Sequence, residues 1–177
     1  EFLIQRIISH LEEISLSKEL IKAICSSDEF YQKRVLNIVD LKNRIESIIN
    51  FKEKETFAEI KKVITRVSKL ANSSNLSTDV FLTRNYINTK LFERESELRV
   101  FEFIRELENL FSTGYCNYLK LLSLFEININ TLEDLFDNDK GVLVMTEDME
   151  LRNNRLKLLS LIRNYSLKIA DFTLLNS

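Results

Sequence analysis

The chain has no proline and only two glycines in 177 residues. These residue types interrupt helices and build tight turns, so their near absence favours long helices joined by polar turns. The apolar spacing agrees. Phe57, Ile60, Val63, Ile64, Val67 and Leu70 recur at the intervals of one helix face and predict a helix over 55–71. Phe92, Phe103, Leu107, Leu110 and Phe111 predict another over 88–111.

The remaining elements follow from the same pattern. Phe2, Leu3, Ile7, Ile8, Leu11 and Ile14 form a first amphipathic stripe. Ser17 is placed to cap a short helix carrying Leu20, Ile21 and Ile24. Ser27, with Asp28 and Glu29, opens a longer one holding Phe30, Ile38, Leu41, Ile45 and Ile48. Residues 72–79 read as a polar loop and 80–90 as a mixed crossing segment. Gly114 is expected to stop the 88–111 helix. A short helix over 115–125 comes next, then a connector over 126–130. Thr131 is expected to cap a brief turn carrying Leu132, Leu135 and Phe136. The 142–145 run is helix or strand, and Thr146 is expected to cap the final helix.

Composition narrows the function classes. Hydrophobic residues make up 45% and charged residues 29%, enough apolar content to bury a core. A formal net charge of -2 argues against a non-specific nucleic-acid coat, which needs a basic surface. It leaves room for a local basic patch. Cys25 and Cys116 lie outside any metal-binding spacing and read as buried thiols of a reducing compartment. His10 stands alone, so no zinc site can be assembled around it. No signal peptide and no membrane-spanning apolar stretch is evident. The chain begins Glu1-Phe2 rather than with Met, as expected of a piece of a longer protein.

No catalytic constellation is visible: no glycine-rich phosphate loop, and no serine or cysteine with a histidine partner beyond His10. The candidate binding residues are cationic, amide and aromatic. Lys62, Arg66 and Lys69, spaced i, i+4, i+7, form a basic stripe that either contacts RNA or is a solvated face. Arg84, Asn85, Tyr86 and Lys90 combine charge, amide and ring in one segment. Glu93, Glu95, Glu97, Glu102, Glu106 and Glu108 are expected to cover the outer surface of their helix, facing away from any phosphate. Arg152 lies four residues after Asp148, a simple ion-pair spacing. Asn153, Asn154, Lys157 and Asn164 are placed on the outer side of the last helix. Arg155 falls among Leu151, Leu158, Leu159, Ile162 and Ile169 on its apolar face. A guanidinium there needs a partner. Arg155 is therefore read as structural, bracing the 142–145 run or an acid on a neighbouring helix.

Leu151-Arg152-Asn153-Asn154-Arg155-Leu156-Lys157-Leu158-Leu159 follows an apolar run and an acidic helix start, and Ile169-Ala170-Asp171-Phe172 comes shortly after that helix. Together these resemble the C-terminal anticodon-binding domain, of the DALR type, of the bacterial glycyl-tRNA synthetase beta subunit. Ile64-Thr65-Arg66-Val67-Ser68-Lys69-Leu70 looks like a second, weaker family segment, with Lys69 where the family has asparagine. The resemblance covers 53–177 well and 1–52 loosely. Asp139-Lys140-Gly141 lengthens a family link, and the prolines usual in the preceding connector are missing.

The resemblance implies an all-α helical bundle over 53–177, preceded by a helical connector over 1–52 from the upstream part of the subunit. It implies recognition of the anticodon arm of glycine tRNA in a cytoplasmic enzyme. The partner would be the alpha subunit, reached through the rest of the beta subunit. ATP and magnesium would be used on that alpha subunit, with no cofactor, metal, membrane or DNA bound by this chain. Lys62, Arg66, Lys69, Arg84, Tyr86, Lys90, Arg152 and Asn154 are the candidate tRNA contacts. A related reading is the anticodon domain of a class I, arginyl-type synthetase. A reading of another class is a helical protein-interaction scaffold using outward apolar residues such as Leu161 and Leu167.

Overall fold

The computed structural model describes residues 16–25, 38–112 and 117–175, together with residues 6 and 9. It is all helical, and no strand occurs among the described residues. The helices are α1 (Lys18–Cys25), α2 (Ile38–Lys52), α3 (Phe57–Ala71), α4 (Glu95–Phe111), α5 (Tyr118–Ile127), α6 (Ile129–Asp134) and α7 (Met149–Leu167). Short 3-10 turns occupy Thr89–Leu91 and Phe172–Leu174. The first apolar stripe, Ser27, Phe30, His10, Gly114 and Cys116 lie outside the described residues.

Helix α7 is the axis of the bundle. From Asn154 to Ser166 every residue except half-buried Lys157 is buried, so this helix has no solvent face along its middle. A helix buried all round is a core helix rather than an amphipathic surface one. It packs most extensively on α3 and also on α4. Helix α3 presents Phe57, Ile60, Val63, Ile64, Val67 and Ala71 to this core. Helix α4 presents Val100, Phe103, Ile104 and Leu107.

The centrality of α7 overturns three placements on its surface. Asn154 and Asn164 are not outward; they are 4% and 1% exposed. Leu161 is fully buried, which removes it from any docking face. The polar side chains instead bind the backbone of the long connector between α3 and α4. Asn154 accepts from the Asn88 N–H at 2.8 Å and donates to the Asn88 carbonyl at 3.1 Å. Arg163 donates to the carbonyls of Ala71 at 3.2 Å and Leu76 at 3.1 Å, and to its neighbour Asn164. The Ala71 carbonyl ends α3, where a positive charge is favoured by the helix dipole. Asn164 donates to Ser77 and Val80 carbonyls at 2.8 and 2.7 Å, and the Tyr165 hydroxyl to the Phe81 carbonyl at 2.7 Å. A connector with few apolar residues is thereby fixed to the core through its own peptide groups.

The N-terminal helices join the same core: Leu20, Ile24, Leu41, Ile48 and Phe51 belong to one buried cluster with Val67, Leu107 and Leu159. Ser17 caps α1, its hydroxyl accepting from the Leu20 N–H at 3.2 Å. Arg44 is fully buried, donating to the Ile24 carbonyl at 3.3 Å and lying 3.1 Å from Asp40. The Tyr118 hydroxyl donates to the same Asp40 and ties α5 to α2. Lys54 and Thr56 both hold Glu126 at 2.6 Å, clamping the start of α3 to α5.

Several boundaries differ from the sequence expectation. The helix expected from 88 begins at Glu95, because Asn88 is engaged by Asn154 and its own side chain accepts from Lys90 N–H at 3.1 Å. Asn128, not Thr131, separates α5 from α6, with no longer connector between them. The final helix is capped by Asp148 rather than Thr146, its carboxylate accepting from Glu150 and Leu151 N–H at 2.9 and 3.1 Å. The 142–145 run is neither helix nor strand.

Two outcomes follow from this packing. Replacing Arg163 with Met should lower unfolding free energy by about 3 kcal/mol in urea melts, because the Ala71 and Leu76 carbonyls lose buried donors. An unchanged midpoint would contradict the pinning role. Burial pushes the Cys25 thiol up to about 11, against the nearby Arg44 charge. The native thiol is therefore neutral at pH 8, and peptide mapping should show slow alkylation at Cys25 that denaturant accelerates. Rapid native alkylation would contradict that burial.

Candidate nucleic-acid interface

Lys62, Arg66 and Lys69 are all exposed on α3, away from the side that packs on α7. The stripe is continuous, as the helical spacing requires. The ion pairs among the described residues leave out Lys62 and Lys69. Arg66 has an aromatic partner: its guanidinium lies 4.2 Å from the centroid of the Phe136 ring. At an exposed site such a pair contributes about 0.5–1 kcal/mol, enough to bias the arginine's orientation.

Arg66 and Phe136 form part of a half-open groove of about 380 Å³. Leu70, Asp137, Asn138 and the 142–145 run complete its lining. The loop after α6 is built to hold this shape. Asp137 Oδ1 accepts from the Asp139 and Lys140 N–H groups at 2.9 Å each, and these bonds hold its carboxyl below the usual carboxylate range. The chain then turns back, with Gly141 N–H donating to Asp137 O at 3.1 Å and Val142 N–H to Leu135 O at 3.0 Å. A side chain at Gly141 would place its Cβ 2.5 Å from both the Asp137 and Leu135 carbonyl oxygens. Only glycine fits that close approach.

Arg155 joins the far side of this run to the core. It is 4% exposed and donates to Glu97 at 2.9 Å, Glu93 at 2.6 Å and the Leu143 carbonyl at 3.2 Å. Both partners considered for it, the 142–145 run and an acid on a neighbouring helix, are present at once. Burial works against its charge, but the hydrogen bonds it donates to Glu97 and Glu93 outweigh this and raise its pKa above the ordinary arginine value. Glu97 is not on the outer surface of α4. It is fully buried, and its second oxygen accepts from Glu93 and Arg94 N–H at 2.8 and 3.1 Å, the reciprocal half of a capping box at the start of α4. Glu108, also expected outside, is half-buried, pairing with Arg105 at 2.7 Å and accepting from Thr83 N–H. Glu95, Glu102 and Glu106 are exposed.

The other candidates divide. Arg84, Asn85, Tyr86 and Lys90 project from the connector and are exposed. Arg152 is half-buried; its guanidinium contacts the Met149 sulfur rather than Asp148, whose carboxylate is committed to the cap. Asn154 is removed from the solvent-facing set, since both its side-chain groups are used by Asn88. Phe136, Asp137 and the groove were missed by pattern alone, because they meet Arg66 only through the fold of the 135–142 loop. The sequence signal for that loop is the Asp137-Asn138-Asp139-Lys140-Gly141 string, whose acid and glycine favour a tight turn.

Among the described residues no group of His, Cys, Asp and Glu is placed to hold a metal ion, and no helix is long and apolar enough to cross a membrane. No family model matches the chain. Individual proteins do. The glycine–tRNA ligase beta subunit of Picosynechococcus sp. is 33% identical over 175 residues, spanning 97% of this chain and 24% of that subunit. The beta subunits of Acaryochloris marina and Thermodesulfovibrio yellowstonii are each 30% identical over 176 and 180 residues, again spanning 97% of this chain. The chain spans about a quarter of the length of these relatives.

Arg155→Ala should destabilise the bundle by about 3–5 kcal/mol, since it strands the buried Glu97 carboxylate and frees Leu143. Thermal melts measure this, and a melting temperature equal to that of the parent would rule out the brace.

Proposed function

The chain belongs to the glycine–tRNA ligase beta-subunit family, and from that premise we propose that it is the subunit's anticodon-binding module. In this reading it takes part in ATP-dependent glycylation of glycine tRNA by contacting the anticodon arm, without supplying catalytic groups. ATP, magnesium and glycine are handled elsewhere in the enzyme, on the alpha subunit, and the compartment is the cytoplasm. The observation that carries the reading is the exposed strip of Lys62, Arg66 and Lys69 beside the groove. Cations held out of ion pairs keep their charge available for phosphate, whereas those in salt bridges must first break them.

The parts have a division of labour. Lys62, Lys69, Arg84 and Lys90 meet phosphates and so fix position. Tyr86, 37% exposed in a segment pinned on either side by Tyr165 and Asn154, offers a ring for stacking on an unpaired base. The exposed acids Glu95, Glu102 and Glu106 on α4 repel phosphate and leave that helix outside the contact. The two residues named for a scaffold face are not outward, since Leu161 is buried and Leu167 half-buried.

The test is a titration of the chain with an RNA hairpin carrying the glycine anticodon at several salt concentrations. Binding should weaken steeply with salt, and Lys62→Ala with Lys69→Ala should lower the log–log slope by roughly one per lost phosphate contact. Affinity and slope unaltered by the double substitution would contradict the assignment of the strip.

A further inference from the structure

We propose that the groove between α3 and the 135–145 loop is a pocket for one unstacked nucleobase bearing an exocyclic amino group. The inference rests on the RNA-binding reading above and adds to it a position and a base preference.

The groove holds what a single base needs. A base is a flat apolar ring with a polar edge, and proteins grip it by stacking on an aromatic or guanidinium plane and hydrogen-bonding the edge. Phe136 and Arg66 supply both kinds of plane, the guanidinium carbon lying 4.2 Å from the ring centroid. The volume of about 380 Å³ lies at the small end of ligand sites, which run from about 300 to 1,000 Å³. Leu143 and Met145 on its rim are 71% and 47% exposed, so apolar surface remains uncovered there. One of its walls is anchored to the core, since Arg155 donates to the Leu143 carbonyl at 3.2 Å.

The polar end sets the preference. Asp137 lines the groove, and its Oδ1 is fixed by two backbone N–H bonds of 2.9 Å. An ionised carboxylate only accepts hydrogen bonds. It favours a base edge carrying an amino group, as in cytosine, adenine or guanine, and opposes the carbonyl that uracil presents where cytosine has its amine. Arg66 offsets the carboxylate's repulsion of the adjoining phosphate.

The probes are synthetic RNA hairpins with the glycine anticodon, whose loop cytosines are replaced one at a time by uracil, titrated against the 177-residue chain. The parent protein should lose roughly tenfold in affinity at one loop position. Asp137→Asn keeps a side-chain oxygen for the Asp139 and Lys140 N–H groups, so the loop persists, and it should erase most of that discrimination. Phe136→Leu should weaken all hairpins alike by roughly tenfold, the loss of one stacking plane. Circular dichroism melts confirm that both variants fold. If the parent binds and Asp137→Asn discriminates as the parent does, or Phe136→Leu binds as tightly, the base pocket is refuted while the RNA-binding reading stands. If the parent binds no hairpin, both fall together.

Discussion

The fold depends on a helix buried on every side that nevertheless carries two arginines, two asparagines and a tyrosine in its buried segment. Each polar group on α7 would be costly in an apolar core without a partner. These five side chains each find one in main chain outside a regular ladder, the carbonyls of Ala71, Leu76, Ser77, Val80, Phe81, Asn88 and Leu143, and Arg155 adds the Glu97 and Glu93 carboxylates. The desolvation cost of the side chains and the unmet hydrogen bonds of the loops cancel in one set of contacts. That exchange lets a connector from 72 to 94 cross the bundle without regular secondary structure beyond one 3-10 turn.

The same exchange positions the proposed binding surface. Residues 84–90 lie between the Tyr165 and Asn154 anchors, so exposed side chains sit on a backbone held at both ends. The 142–145 run is tied to Arg155, and through it to Glu97 at the start of α4. Recognition groups on loops are useful when a rigid scaffold sets their geometry. Here the scaffold is a single helix, and its inward polar residues serve what the outward ones present.

Much of this was legible in the sequence, for identifiable reasons. Helices α3 and α7 declared themselves because their apolar residues repeat over several turns. Ser17 was readable as a cap because capping is local chemistry between neighbours. Arg155 was conspicuous because a charge among leucines breaks its own pattern. Asn154, Asn164 and Glu97 were misplaced for the converse reason. Polarity alone suggests solvent, and only the tertiary arrangement shows that loop backbone or a buried arginine takes its place. Arg163 lay hidden similarly, its partners being carbonyls that carry no sequence identity. The groove was invisible because Arg66 and Phe136 are 70 positions apart and meet only when α6 packs on α3.

The most direct test of the account is amide hydrogen exchange of the chain with and without an RNA hairpin bearing the glycine anticodon. Free protein should show slow exchange along the middle of α7, and RNA should add protection at 84–90 and 136–145 while leaving the exposed acidic positions of α4 as they were. Protection centred on Glu95, Glu102 and Glu106 instead, with none in the two loops, would contradict it.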